Sequence, residues 1–502
     1  MVMTGSHPEG LASICGLHHV DNGLGGFDRE RRQPNPLTPF PYKEGGTEKL
    51  IPLLPWGKKW KEGRCVLETE KVRAVGLDFG TTNSAIAVVG DDGVPRLARF
   101  PDAERGADTE TFRSILFFEA PEETGGTEAS IAVGNDAIRR YLAAGGNGRL
   151  VQSLKSFLAD KSFQSTEIMG EMYSLGDLIA PIISALRDAA IAQFGELPPR
   201  LVVGRPVHFA AAGNPDEALA RSRLDIAVRR AGWSDVVFEY EPVAAAYDYA
   251  LRITRDETVL IADFGGGTSD FSVLRLRPRS SAKHGAARYE ILGNDGVAIA
   301  GDVFDGRIMR HLIAPALGRG TRYRSPYGMV LPAPTWPYTK LERWHHLSFL
   351  KARATMLRFE ELKRESYEPE KIAALIHIVE NDLGYFLFRS VEKAKLELSA
   401  VESTGFAFSD PPVRIEEVVL RPDFENWIRA YLAQIADCVD RLMNAVAMKP
   451  DAIDSVFLTG GSSFVPAVRR IFVERFGAER IRMGDEFTSV ARGLAVRALD
   501  GE

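Results

Sequence analysis

The run Val259-Leu-Ile-Ala-Asp-Phe-Gly-Gly-Gly-Thr-Ser-Asp-Phe-Ser-Val-Leu274 repeats, about 185 residues later, the pattern of Ala74-Val-Gly-Leu-Asp-Phe-Gly-Thr-Thr-Asn-Ser-Ala-Ile-Ala-Val-Val89. Asp78 aligns with Asp263, Phe79 with Phe264, Gly80 with Gly265 and Ser84 with Ser269. Each copy is an apolar run rich in β-branched residues, an acid, a glycine-bearing turn and a second apolar run, which reads as strand, tight turn, strand. Two such copies needing the same turn at equivalent places predict a duplication, hence two related lobes.

Outward from these runs, Asp92-Gly93 predicts a hairpin leading to Arg96-Leu-Ala-Arg-Phe100. Helical spacing covers about 135–158 and 175–195, then strand Leu201–Gly204, helix 215–231, strand Val236–Glu239 and helix Pro242–Leu251. This alternation predicts an α/β layered fold. Strand Ser455–Leu458 and helices Val465–Phe476 and Thr488–Leu499 are expected to close the chain. Residues 1–70 carry so many glycine and proline breaks that a mostly disordered extension is expected. The first lobe is placed at 71–252 and the second at 253–502, with an inserted subdomain at about 302–420. Within the insertion, the segment from Gly318 to about Asp382 is expected to be helical. The three arginines of Gly318–Arg324 suggest a solvated loop, Trp336, Tyr338 and Trp344 a small local core, and His345-His346 a surface pair rather than metal ligands.

The chain has 502 residues, 45% of them hydrophobic, and 62 Lys plus Arg against 68 Asp plus Glu give a net charge of -6. That balance offers no whole-chain attraction to polyanions, so neither nucleic acid nor a membrane surface is an expected partner. No long uncharged apolar stretch occurs, and the start lacks a basic region followed by an apolar core. Cys15, Cys65 and Cys438 are scattered and odd in number, which argues against a disulfide framework or a zinc site. A cytoplasmic protein is the simplest expectation.

Asp78-Phe-Gly-Thr-Thr-Asn83 places an acid at a strand end, then Gly80, then the hydroxyls of Thr81 and Thr82. Backbone amides of such a turn can surround phosphate oxygens, while the carboxylate reaches a magnesium ion directly or through water. In Asp263-Phe-Gly-Gly-Gly-Thr-Ser-Asp270 three consecutive glycines are poor strand formers, so close backbone approach must be required of them. Gly265, Gly266 and Gly267 are followed neither by Lys-Ser/Thr nor by a helix, which excludes the P-loop and the dinucleotide fingerprint. Two acid-led turns facing each other would leave Asp78 and Asp263 on either side of one hydrated Mg2+, a metal–nucleotide site between lobes.

Seven ordered motifs resemble the 70-kDa heat-shock chaperones of the actin-like ATPase superfamily. They are Val75-Gly-Leu-Asp-Phe-Gly-Thr-Thr-Asn-Ser84, Glu241-Pro-Val-Ala-Ala-Ala246, Ile261–Asp270, Gly301-Asp-Val-Phe-Asp305, Glu392-Lys-Ala-Lys395, Leu458-Thr-Gly-Gly-Ser462 with Pro466, and Ser489-Val-Ala-Arg-Gly493. The resemblance covers roughly 72–499, and the chain resembles a short, YegD-like branch expected to lack the peptide-binding domain. It implies an actin-like fold of duplicated ribonuclease H-like domains. It further implies binding and slow hydrolysis of ATP with Mg2+, and a monomer whose partners beyond ATP and ADP are protein clients or co-chaperones.

Carried over residue by residue, the resemblance places Gly80, Thr81, Thr82, Asn83, Gly265, Gly266, Gly267 and Thr268 on the phosphates and Asp78 and Asp263 around the magnesium. Lys155, in Ser153-Leu-Lys155-Ser-Phe-Leu158, is implied to stabilise transition-state charge, with Glu241 and Asp270 positioning water. Glu392, Lys395, Ser399, Gly460, Gly461, Ser462 and Phe464 are implied around the nucleoside. Pro206 and Arg221 match a pair that relays nucleotide state. Phe464 and Leu396 stand where arginines are usual, and Phe487 where an acid is usual, which loosens adenine selectivity. Two alternatives remain at this point. One is a metabolite kinase of the same fold with Asp270 as base, and the other is a nucleotide-binding scaffold or filament protein.

Overall fold

The computed structural model of the chain describes residues 71–502 other than 103–105, 121–129, 146, 211–214, 279–288, 344–346, 348–349, 485–487 and 501–502. It also describes the backbone of four short earlier strands, Phe40–Glu44 paired with Thr47–Ile51 and Lys58–Lys61 paired with Arg64–Leu67. Of the extension expected to be mostly disordered, residues 1–39 lie outside the described residues. Within 40–70 the described backbone is that of the two strand pairs, and residues 45–46, 52–57, 62–63 and 68–70 also lie outside the described residues.

Two sheets share one strand order. In the first, β1 (Ala74–Asp78) runs antiparallel to β2 (Asn83–Val89), and β2 antiparallel to β3 (Pro95–Leu97). On its other edge β1 is parallel to β4 (Arg200–Arg205), which is parallel to β5 (Asp235–Tyr240). In the second, β6 (Glu257–Phe264), β7 (Ser269–Leu276) and β8 (Tyr289–Val297) form the antiparallel part, while β9 (Ser455–Thr459) and β10 (Ile481–Met483) continue in parallel from β6. The repeated order bears out the duplication. β1, β2, β6 and β7 are buried along nearly their whole length, which explains why they read as continuous apolar runs rather than alternating ones.

Helices flank the sheets. The helical spacing over 135–158 resolves into α1 (Gly134–Ala143) and a strand, Arg149–Gln152, that pairs with Ile115–Glu119. Gly145 and Gly148, at φ of 59° and 122°, end the helix before the apolar pattern ends. α2 (Leu175–Phe194) starts as a capping box, with Ser174 accepting from the Asp177 amide and Asp177 from the Ser174 amide. α3 (Glu217–Arg230) and α4 (Glu241–Ala250) follow as expected.

The insertion leaves the second sheet after β8. It runs through α5 (Gly301–Ile308), a two-stranded pairing of Arg322–Arg324 with Val330–Pro332, and α6 (Trp336–Leu341), α7 (Arg353–Glu365), α8 (Pro369–Glu380) and α9 (Gly384–Ala400). The pair Ser403–Asp410 with Val413–Leu420 and α10 (Arg421–Ala445) then return the chain to β9. The arginines expected in a solvated loop therefore belong partly to a strand, because Tyr323 between them packs inward opposite Leu331. Of the expected aromatic core, Tyr338 is buried and bonds Leu317 O, whereas Trp336 stacks on Phe359 at the surface. Trp344, His345, His346 and Phe487 lie outside the described residues.

α11 (Pro466–Phe476) packs beside the second sheet, but α12 (Ser489–Asp500) does not stay with it. α12 packs on β1, β2 and β4, α4 packs on β6 and β7, and the two helices cross in direct contact. Ala244, Ala245, Ala246, Ala491 and Ala495 make this crossing a thin, buried, small-residue layer. Each lobe is thus completed by a helix that chain order assigns to the other.

Candidate functional site between the lobes

Because β1 and β6 hold equivalent places in equivalent sheets, the turns after them meet across a cleft of about 520 Å3. Gly80 is required by the first turn, since a Cβ there would stand 1.9 Å from Asn83 O. Ser84 Oγ accepts from the Gly80 amide at 3.2 Å and pairs with Ser114 Oγ at 2.8 Å, which fixes the turn to the strand behind it. At Gly266 a Cβ would lie 3.2 Å from Thr81 Cβ and 3.3 Å from Thr82 Oγ1. None of Gly265, Gly266 and Gly267 takes a left-handed φ; at Gly266 the opposing turn crowds a side chain, whereas a Cβ at Gly265 or Gly267 would meet ordinary contacts, the nearest at 3.5 and 3.8 Å, so the expected close approach is found at Gly266 alone of the three.

Asp78, Gly80, Thr81, Thr82, Asn83, Lys155, Glu241, Asp263, Gly265, Gly266, Gly267 and Thr268 all line this cleft. So do Glu392, Lys395, Ser399, Gly460, Gly461, Ser462 and Phe464. Lys155 projects from a short 3-10 turn, Leu154–Phe157, and its Nζ donates to Glu241 Oε1 at 2.6 Å with both groups buried. Glu241 owes its place to α4, whose first turn carries Pro242. On the far wall Glu392, Lys395, Leu396 and Ser399 share one face of α9 at helical spacing. Lys395 Nζ donates to Asp305 Oδ2 at 2.7 Å. Gly460 takes φ of 83°, and its Cα approaches so closely that a Cβ would fall 2.1 Å from Phe264 O.

Arg113, Asp302 and Asp305 also line the cleft, although the sequence reading gave them no role. The acids lay within a quoted motif and share a helix face at i, i+3, which was a usable signal. Arg113, in a two-residue strand, carried none.

The cleft is strongly acidic. Burial, then Glu241, pushes Asp78 up to about 7 against the pull of Lys155. Burial, Glu241, Asp78 and Asp270 together hold Asp263 well above the ordinary carboxylate range. Burial opposes the charge of Lys155, but Glu241 and Asp78 outweigh it and raise its pKa. Carboxylates with one buried ammonium among them form an environment that a divalent cation would relieve.

A family model described as Hsp70 protein matches residues 149–318 and 380–500, more than half of the chain. The chain belongs to the Hsp70 family. Its two lobes are accordingly those of the actin-like ATPase fold, and its nucleotide-binding domain is of the chaperone type. It is similar to the chaperone protein DnaK of Thermus thermophilus, 27% identical over 449 residues, 85% of this chain and 60% of DnaK. DnaK of Deinococcus proteolyticus is 25% identical over 450 residues, 85% of this chain and 59% of that protein. DnaK of Thermosipho melanesiensis is 25% identical over 440 residues, 86% and 60% of the two chains. The chain thus spans about three fifths of the length of these relatives. The stretch the family model leaves unmatched between its two parts lies in the insertion, from the Arg322–Arg324 strand through α8. Among the described residues no helix is long and apolar enough to cross a membrane.

In this Hsp70-family chain Asp270 does not line the cleft with the other expected residues. It is the cross-strand partner of Asp263 on β7, is buried, and its Oδ1 accepts from the Val207 amide at 2.6 Å. The antiparallel register sets its side chain beside that of Asp263 on the same sheet face, where its Oδ1 is taken up by the segment after Pro206. Arg221, expected as the partner of Pro206, instead lies over the Phe238 ring at 5.3 Å. Arg205 makes the contacts with the proline segment. It donates to Pro206 O and Val207 O, each at 3.1 Å, and to Glu217 Oε2 at 3.3 Å. Glu217 in turn accepts from the Phe209 amide at 2.9 Å.

These buried acids give the Hsp70-family chain a pH signature. Asp270, like Asp78, is pushed up to about 7 from 3.8, by burial first and Glu241 second. A carboxyl with a raised folded pKa contributes stability that is complete below its unfolded pKa and is lost as pH rises through about 7. In EDTA and without nucleotide, the denaturation midpoint of the chain should fall relative to that of Asp270→Asn between about pH 4 and 7. Parallel pH profiles for the two proteins would contradict the ionisation assigned to Asp270.

Proposed function

We propose that this chain binds a magnesium nucleoside triphosphate, ATP foremost, between its lobes and hydrolyses it slowly, with lobe closure serving as the signal to a protein partner. The observation that carries this is the meeting of the Asp78 and Asp263 turns, with the buried Lys155–Glu241 pair, on one cleft. Among the described residues no three His, Cys, Asp or Glu converge as a ready metal cage. That suits a magnesium ion that keeps its water shell, with Asp78 and Asp263 reaching it through water. Once bound, the ion would screen the polyphosphate charge.

The amides of the two turns and the hydroxyls of Thr81, Thr82 and Thr268 are placed to hold phosphate oxygens. Lys155 offers a buried positive charge to the phosphoryl group as charge develops, and Glu241 fixes the lysine and can orient the attacking water. Glu392, Lys395, Ser399, Gly460, Gly461, Ser462 and Phe464 form the nucleoside wall, with the Phe464 ring available for stacking on a base. Asp270 acts through the Val207 amide and ties the cleft to the Pro206 segment. Protein clients or co-chaperones, a monomeric state and a cytoplasmic location go with this reading.

Calorimetric titration with Mg-ATP, Mg-ADP and Mg-GTP should show one site, weakened strongly by EDTA. Asp263→Asn should lower phosphate release by at least about tenfold, the scale of one lost transition-state interaction. Unchanged turnover in the purified variant would sink the assignment.

A further inference from the structure

We propose that Arg113 is a phosphate-binding residue, holding the nucleotide's polyphosphate with a charge that neither lysine of the cleft has free. This rests on the nucleotide reading above and adds a residue that reading does not contain. Arg113 belongs to the strand Phe112–Arg113, which pairs antiparallel with β2 and sets Arg113 directly opposite Asn83. That register delivers its half-buried side chain to the rim of the Thr81–Thr82 turn, on the wall of the cleft.

Among the described residues three cationic side chains line the cleft: Lys155, Lys395 and Arg113. Lys155 is engaged by Glu241 at 2.6 Å and Lys395 by Asp305 at 2.7 Å. The hydrogen bond of Arg113 among the described residues runs from Nη1 to Asn83 Oδ1 at 3.3 Å. An amide oxygen orients a guanidinium without cancelling its charge. Arginine stays protonated throughout the working pH range and presents a planar fork of donors matched to phosphate oxygens. Polyphosphate entering a cleft already rich in carboxylates needs an uncancelled cation beside the turn that cradles it, and Arg113 stands there.

The test compares Mg-ADP affinity by calorimetry with adenosine affinity by ligand-observed NMR, for the unaltered chain and for Arg113→Ala, Arg113→Gln and Arg113→Lys. Mg-ADP binding should weaken about ten- to a hundred-fold in the Ala and Gln variants, as for loss of a charge-assisted hydrogen bond. Adenosine binding should be unchanged, and Lys should recover part of the loss. Gln retains a donor for Asn83, so it separates charge from turn geometry and covers poor folding of the Ala variant. Equal losses for adenosine and Mg-ADP, or undiminished Mg-ADP binding in the Gln variant, would overturn the proposal. Failure of the unaltered chain to bind Mg-ADP at all would remove the nucleotide reading itself, and this proposal with it.

Discussion

Lys155→Ala should reduce phosphate release from bound Mg-ATP by about a hundred-fold or more while changing nucleotide affinity by less than about tenfold. Lys155 is 9% exposed, and its ammonium is bonded to Glu241 and held charged by Glu241 and Asp78 despite its burial. A charge preorganised in so dry a place costs no reorganisation when phosphoryl charge develops, which is why its weight should fall on turnover rather than on binding. Truncation also leaves Glu241 buried without its cation, a change of the kind that costs about 3–5 kcal/mol in other buried pairs. A thermal melt must therefore accompany the assay. Lys155→Met, which keeps the apolar stem, should retain more stability and no more activity. Single-turnover phosphate release near that of the unaltered chain, in a variant that is folded and binds nucleotide, would remove Lys155 from the mechanism.

The second large effect concerns the joint between lobes. Gly493→Val should destabilise the chain by about 3 kcal/mol or more, since overpacking against backbone cannot be relieved by a side-chain rotation. A Cβ at Gly493 would fall 1.7 Å from Ala244 O, and one at Gly76 would fall 2.2 Å from the Ala495 nitrogen. α12 thus meets main chain on both sides, α4 of the crossing and β1 of the first sheet, and it has nowhere to move. Gly405→Ala, where nothing lies within 4 Å of the added carbon, provides the control and should stay within about 0.5 kcal/mol. Chemical denaturation of the three proteins decides the matter. A Gly493→Val chain as stable as the control would show that the crossing yields more readily than its geometry implies.

Much of the fold was legible because its chief signal is local. Paired apolar runs broken by acid and glycine specify strand, turn and strand wherever they occur, and both runs were found as read. The same locality misled at 135–158, where helical spacing continued past α1. Gly145 and Gly148 were visible, but the strand Arg149–Gln152 exists because Ile115–Glu119 is there to pair with it. Glycine function divided along the same line. The glycine run Gly265–Gly267 pointed to a close approach, which the structure shows at Gly266, whereas the partner it approaches, the Thr81–Thr82 turn, lies far away in sequence.

The sequence by itself determined the duplication, the two acid-led turns and, through family resemblance, the residues that line the cleft, because each of these is written in short contiguous patterns. Only the tertiary structure decided that Asp270 accepts from the Val207 amide, that Arg205 rather than Arg221 holds the proline segment, and that α12 completes the first lobe. It also decided that Arg113 enters the site. Those outcomes depend on strand register and helix crossing, which set where a side chain points through contacts between segments that no local pattern encodes.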